Sequence, residues 1–552
     1  MFSRLIHIVQ SFSKVERLLF YGALVIFIVS GAILAIEATD EYTYKKPLPG
    51  GRYSEGFVGQ LTAINPILTN NDIDRTISKL LFETLDALSE SIKDDGKRVW
   101  TVRLKDNVLW HDGEMITSDD VVFTIQTIQN PNAFSPLFTT WQGVVAERVS
   151  EKEVRLTIRT PYVFFNDNLK DLPIIPKHIF DHIPPTNLRL SEYSIEAIGS
   201  GPYKFDSYQK RKDGFITKYT LALNDHYYGN APLIHFVDFK FYSSLEDLVV
   251  GFNAGEISGF GTFDPRITKE ISRSHVVYSL LLPQYYALFL NQNSSLPLKE
   301  KNVRLALDYA IDRKRIIDEV FLGHAITVSG PLVPGSSGYS PSVNVPKEYD
   351  PTKAHTILES SGWKPNSDHK GIRTRRLGDA IVLLEFTITT PDTPLLVKTA
   401  QIIRENLEAV GSKVTLDIVS IDSINKDIIP SRNYQITLFG NITGRQPDFF
   451  SFWHSSQRFY PGLNLALYQN KSADNLIESI RQNSDPEKRQ SDLTTLQSAI
   501  IQDYPVLFLY APHYLHITEP RIKGFDAKWV LTPAHKFDTI KSWYINTTRA
   551  LR

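Results

Sequence analysis

Along most of the chain, short runs of alternating apolar and polar residues are followed by stretches whose apolar residues recur at helical spacing, with no fixed-length repeat. This alternation predicts an α/β protein. Strands are expected at 99–104, 153–159, 218–223, 236–242, 287–291, 382–388, 413–419 and 506–510, all rich in β-branched and aromatic residues. Helices are expected at 121–128 behind Ser118-Asp119-Asp120, at 301–310, at 395–409 between Thr393 and Gly411, from Asp350-Pro351 to about Ser361-Gly362, and from Asp485-Pro486 to about Asp503. The turn-rich stretches 330–341 and 364–371 predict surface loops.

One segment breaks the alternation. Residues 18–36, LLFYGALVIFIVSGAILAI, are nineteen consecutive uncharged and mostly apolar residues, which at about 1.5 Å per residue nearly reach across a hydrocarbon layer of roughly 30 Å. Arg4, Lys14 and Arg17 stand before it against Glu16 alone, and Glu37, Asp40 and Glu41 follow it. That bias predicts a cytoplasmic basic tail (1–17), a single transmembrane anchor (18–36), a polar linker (37–51) carrying Pro47, Pro49, Gly50 and Gly51, and a bulk outside the cell membrane, extracellular or periplasmic. The competing reading is a cleaved signal peptide, for which 32–38 offers a weak Ala-x-Ala-like site; the length of the apolar run favours an anchor.

At 552 residues the chain is long enough for several packed domains. Its 60 Lys+Arg against 61 Asp+Glu leave no global field to draw it to nucleic acid, which is not an expected partner. The absence of cysteine removes disulfides, thiolate nucleophiles, Cys-ligated zinc and a lipid-bearing Cys, so any anchor is polypeptide. Neither Gly-x-Ser-x-Gly, His-Glu-x-x-His, a phosphate-binding loop nor a dinucleotide fingerprint occurs. Gly199-Ser200-Gly201-Pro202 suits a turn better than a phosphate cradle. His111-Asp112-Gly113-Glu114 crowds an imidazole and two carboxylates, yet Asp-Gly suits a tight turn ahead of the helix at Ser118, and His178 reads as a packed surface histidine. The acids Asp119 and Asp120 are explained by the helix dipole. No catalytic residue, metal or cofactor is expected.

The stretch from Leu104 to Glu114, with Trp110-His111-Asp112-Gly113-Glu114 at its end, followed by Ile116-Thr117-Ser118-Asp119-Asp120-Val121, closely resembles the family 5 extracellular solute-binding proteins, the dipeptide, oligopeptide and nickel receptors of ABC importers. Further blocks follow in that family's order: Pro176-Lys177-His178, Gly199-Ser200-Gly201-Pro202-Tyr203, Gly255-Glu256-Ile257, Val303-Arg304-Leu305-Ala306, Ala310-Ile311-Asp312-Arg313, Tyr349-Asp350-Pro351, Gly362-Trp363, Pro447-Asp448, Asp485-Pro486-Glu487 and Asp503-Tyr504-Pro505. The resemblance covers roughly residues 52–525. It implies a two-lobed periplasmic-binding-protein-like fold of the large, three-subdomain type, with lobe I from 52–66, 190–280 and 505–552, an insert at 67–189, lobe II from 281–504, and crossings near 282–284 and 504–505. The implied function is that of a monomeric, membrane-tethered receptor, not an enzyme, that captures a peptide or small polar solute between the lobes and delivers it to an ABC permease. A sensory or adhesive ectodomain of the same fold is the alternative.

The resemblance also implies where ligand is held. Thr69, Asn70 and Asn71 align with a loop lining the cleft, against the simpler reading of a polar surface turn. Gly440, Asn441, Thr443, Asp448 and Trp453 belong to a segment bordering it, where most of Phe449, Phe450, Phe452 and Trp453 are expected in the lobe II core. Three departures stand out. The hairpin near 86–98 is shortened. Asn441 or Ile442 occupies the position of the Asp that pairs with a ligand ammonium, and Thr389 or Thr390 that of the Arg that holds a carboxylate. Asp448 is the nearest acidic substitute, unless it merely caps its turn. Weak binding of free dipeptides is therefore expected, with longer peptides or uncharged solutes preferred.

Overall fold

The computed structural model describes residues 12–551; the first part of the expected cytoplasmic tail, 1–11, lies outside the described residues. Helix Lys14–Tyr42 carries the apolar span, and its stretch Lys14–Leu34, of mean hydropathy 2.2, is not buried against any part of the protein. Leu18, Leu24, Phe27 and Leu34 stand exposed around it. The linker expected at 37–51 is corrected here. The helix runs on to Tyr42, and Thr43–Leu48 is a strand paired antiparallel with Asn546–Leu551, from Thr43 opposite Leu551 to Leu48 opposite Asn546. Its partner lies at the far end of the chain, so local composition could not reveal the pairing.

Two sheets organise the body. The first, lobe I, has seven strands in the order Val276–Leu280, Tyr514–Thr518, Gly259–Thr262, Arg52–Val58, Phe236–Tyr242, Ile216–Leu223 and Tyr203–Lys210. The second, lobe II, has six: Ala325–Thr327, Val506–Pro512, Gln284–Leu290, Ile436–Ile442, Glu385–Pro391 and Lys413–Val419. The chain passes between them at 281–283 and again at His513. The return crossing therefore falls later than the expected 504–505. Val506–Pro512, placed with lobe I on sequence, pairs with Gln284–Leu290, and its seven residues are all buried, as a strand covered on both faces requires.

The insert holds a four-stranded antiparallel sheet, Ser89–Asp95, Val99–Leu104, Glu153–Thr157 and Val145–Ser150, sharing one apolar core with lobe I. The shortened hairpin closes at Gly96 and Lys97, both at positive φ. Most expected helices are present, including Lys301–Ala310, Pro351–Ser360, Pro394–Ala409 and Pro486–Asp503. Three readings change. Helix Ser118–Gln129 is capped by Thr117, not Ser118, through a reciprocal box with Asp120. The single strand expected at 382–388 is two: Ala380–Leu383 pairs in a small three-stranded sheet, Glu385–Pro391 joins lobe II, and the Leu384 amide between them donates to Arg373 O. The stretch 330–341 is a surface loop only in part: Gly335 and Ser337 are exposed, but Leu332 and Val333 are drawn into the lobe II core while Asn344 and Gln497 satisfy the turn from beneath.

The strand directions place the site. Glu385–Pro391, Lys413–Val419 and Ile436–Ile442 run parallel, and Ile442 pairs with Gln284, just past the first crossing. In lobe I, Arg52–Val58, Phe236–Tyr242 and Gly259–Thr262 run parallel, and Thr262 pairs with Leu515, just past the second. The carboxyl ends of both parallel sets thus meet at the crossings, where open α/β sheets bind ligands.

Candidate ligand cleft

On the lobe I side, residues 59–71 leave the carboxyl end of Arg52–Val58. Asn71 caps helix Asp72–Leu81: its Oδ1 accepts from the Asp74 amide at 2.8 Å, while its Nδ2 donates to Asp74 Oδ2 at 2.7 Å. Buried Asp74 also accepts from the Thr62 and Ala63 amides at 2.9 and 3.1 Å, which pins the loop. Thr69 is buried, its hydroxyl near Pro66 O, and Asn70 is exposed. Of these three residues Asn70 is the most open to solvent, and Asn71 is half-buried.

On the lobe II side Gly440 lies opposite Tyr286, and a Cβ there would stand 3.0 Å from the tyrosine ring. That ring stacks on Tyr510 at 5.5 Å and 24°. Asn441 is buried and donates to the Tyr285 hydroxyl at 3.0 Å; Thr443 is stitched to the crossing through its amide and hydroxyl, both donating to Pro283 O at 2.8 and 3.0 Å. Thr389 and Thr390 are buried in the sheet, and Ile442 is exposed at the rim. Asp448 accepts from the Tyr162 hydroxyl at 2.8 Å and lies 3.3 Å from Arg481 Nε, so its charge is engaged within the protein; it also takes the Phe450 amide, capping its turn. Trp453 is 2% exposed, edge-on to Tyr468 and tilted against Phe508 in the core.

The sequence had no signal for the polar residues contributed by other elements. Arg445 reaches Asp171 of the insert through Nη2 at 3.1 Å, and lies close enough to His535 of lobe I to act on it. Burial pushes His535 down to about 3, with Lys79, Arg445 and Arg75 adding to the shift.

The turn at His111 is structural. His111 Nδ1 accepts from the Gly199 amide at 3.0 Å, Nε2 faces Gly201 O at 3.2 Å, and burial lowers its pKa to about 4. Cβ atoms at Gly199 and Gly201 would stand 1.8 and 2.4 Å from the Leu81 and Leu80 carbonyl oxygens. That close approach to a helix end is why glycines occupy both positions. His178 pairs with Asp112 at 2.8 Å. Among the described residues no three His, Asp or Glu side chains gather as metal ligands.

The family model of the bacterial extracellular solute-binding proteins, family 5 Middle, matches residues 85–460, well over half of the chain. The chain belongs to this family. Its members are substrate-binding receptors, and the α/β architecture described above is their periplasmic-binding-protein-like fold. The chain is 28% identical over 524 residues to the oligopeptide-binding protein AppA of Bacillus subtilis (strain 168), covering 91% of this chain and 92% of that one. The structure of AppA from Bacillus subtilis in complex with a nonapeptide superposes with a TM-score of 0.71 at 27% identity, covering 91% of this chain and 100% of that one. NikZ from Campylobacter jejuni, in complex with Ni(L-His), shares the fold at a TM-score of 0.70 and 24% identity, over 89% of this chain and 99% of its own.

Proposed function

We propose that this family 5 protein is a membrane-tethered extracellular receptor that takes oligopeptides between its lobes and hands them to an ABC permease. The observation that carries the peptide reading is the likeness, over 91% of the chain, to a receptor holding a nonapeptide. The rim chemistry supports a ligand gripped along its main chain more than at charged ends. Asn441 is tied to Tyr285, Thr389 and Thr390 are buried, and Asp448 is neutralised by Arg481. An extended peptide can instead use main-chain groups and the half-buried Tyr286 ring, for which Gly440 makes room. Calorimetry on the full chain in detergent tests this: a nonapeptide is expected to bind at least about 100-fold more tightly than a free dipeptide, and submicromolar dipeptide binding would overturn the reading.

The tether rests on the apolar helix stretch Lys14–Leu34, which is not buried among the described residues. Protease added to spheroplasts is expected to degrade the bulk while a tag at Met1 stays protected. Protection of both ends would refute the topology.

A further inference from the structure

Residues 162–171 of the insert reach across to lobe II at several points. The Tyr162 hydroxyl donates to Asp448 Oδ2 at 2.8 Å, the Val163 amide donates to Arg481 O at 3.0 Å, and Arg445 forks onto Asp171 through Nε and Nη2 at 3.2 and 3.1 Å. Arg481 completes the first cluster, its guanidinium 4.4 Å from the Phe450 ring centroid and 5.1 Å from that of Tyr162. Two adjacent aromatic residues are anchored in different cores. Phe164 packs into lobe II with Trp453, while Phe165 packs into the insert, 4.5 Å from Trp100. One short segment therefore belongs to both moving parts.

Resting on the receptor reading above, we infer that this segment is a latch that holds insert and lobe II together and sets the closed population for every ligand alike. The crossings at 281–283 and His513 are the covalent hinge. The Asp171–Arg445 contact is polar and open to solvent, each side chain 42% exposed, so it can part and be rehydrated. Phe164, with Tyr162 and Val163 packed beside it, leaves an apolar seat, a small barrier beside the wholly buried strand Val506–Pro512. A ligand of any chemistry closes against the same contacts, so weakening them divides all apparent affinities by one factor, whereas loss of a ligand contact acts on some ligands only.

The test needs no ligand. The chain has no cysteine of its own, so Lys212→Cys in a lobe I hairpin and Asp379→Cys in a lobe II hairpin give a unique pair of labelling sites for single-molecule energy transfer on the full chain in lipid nanodiscs. Tyr162→Phe with Asp171→Asn is expected to lower the ratio of closed to open molecules about tenfold. Exchanging the charges, Asp171→Arg with Arg445→Asp, is expected to restore most of what Asp171→Asn alone removes, which damage to the fold would not do. Distance distributions that coincide for the parent, the double variant and Asp171→Asn would overturn the latch, whether or not a nonapeptide binds. A failure of the nonapeptide to bind would overturn the peptide reading and leave this result standing.

Discussion

Lys536→Met is expected to lower the unfolding free energy by about 3–5 kcal/mol, as loss of one partner from a buried ion pair typically does. Lys536 and Glu55 are 1% and 0% exposed, and their side chains form an ion pair between the C-terminal 3₁₀ segment Pro533–Ser542 and the central strand Arg52–Val58 of lobe I. Tyr53 donates its hydroxyl to the other carboxylate oxygen, and the Tyr514 hydroxyl lies 3.5 Å from the ammonium. Burial lowers the affinity of the ammonium for its proton, but Glu55 and Tyr514 together outweigh this and the pKa of Lys536 ends raised. Methionine fills the space and leaves the carboxylate buried without its cation. Glu55→Gln combined with Lys536→Met removes both charges and keeps an acceptor for Tyr53, so it is expected to recover most of the loss. Urea unfolding of the parent and the two variants checks this, and a Lys536→Met protein within about 0.5 kcal/mol of the parent would show that the pair carries no such weight.

Acid is expected to unfold the protein through its histidines before its carboxylates finish titrating. His111 and His535 have folded-state values of about 4 and about 3, lowered chiefly by burial, against about 6.5 in an unfolded chain. Both are depressed. Their contribution is complete above pH 6.5 and is lost as pH falls towards the folded values, because only the unfolded chain takes up the protons. Each proton is worth about 1.4 kcal/mol per pH unit, so the two together should remove roughly 3–5 kcal/mol between pH 7 and 4.5. His111→Gln should make the slope of unfolding free energy against pH shallower by about one proton in that window, even though it also weakens the contacts to Gly199 and Gly201 at neutral pH. Parallel slopes for parent and variant would mean that His111 protonates freely in the folded state.

The site shows how far side-chain type alone leads. Asp448 is a plausible ammonium partner by sequence because its neighbours there are Pro447 and Phe449, but its actual neighbours are Tyr162 and Arg481, brought from the insert and from helix Lys471–Gln482. Trp453 could border a cleft or a core, and Tyr468 and Phe508 decide for the core. Asn71 looks like a cleft donor until the helix it caps is seen. Each case turns on a partner distant in sequence or on a backbone geometry that residue identity does not encode.

What the sequence determined by itself is what local physics controls. The apolar span, the helices opened by Asp350-Pro351 and Asp485-Pro486, and strands such as Val99–Leu104 and Lys413–Val419 follow from periodicity, capping and β-propensity within a few residues. The order of motifs was enough for the family. Only the tertiary structure decided that Thr43–Leu48 pairs with Asn546–Leu551, that Val506–Pro512 stays in lobe II before crossing at His513, that Leu332 and Val333 are buried, and that the insert grips lobe II through Tyr162 and Asp171. These are pairings between segments far apart along the chain. Their free energy comes from burial and hydrogen bonds formed only when the lobes assemble, and no local pattern of apolar and polar residues specifies which distant partner will supply them.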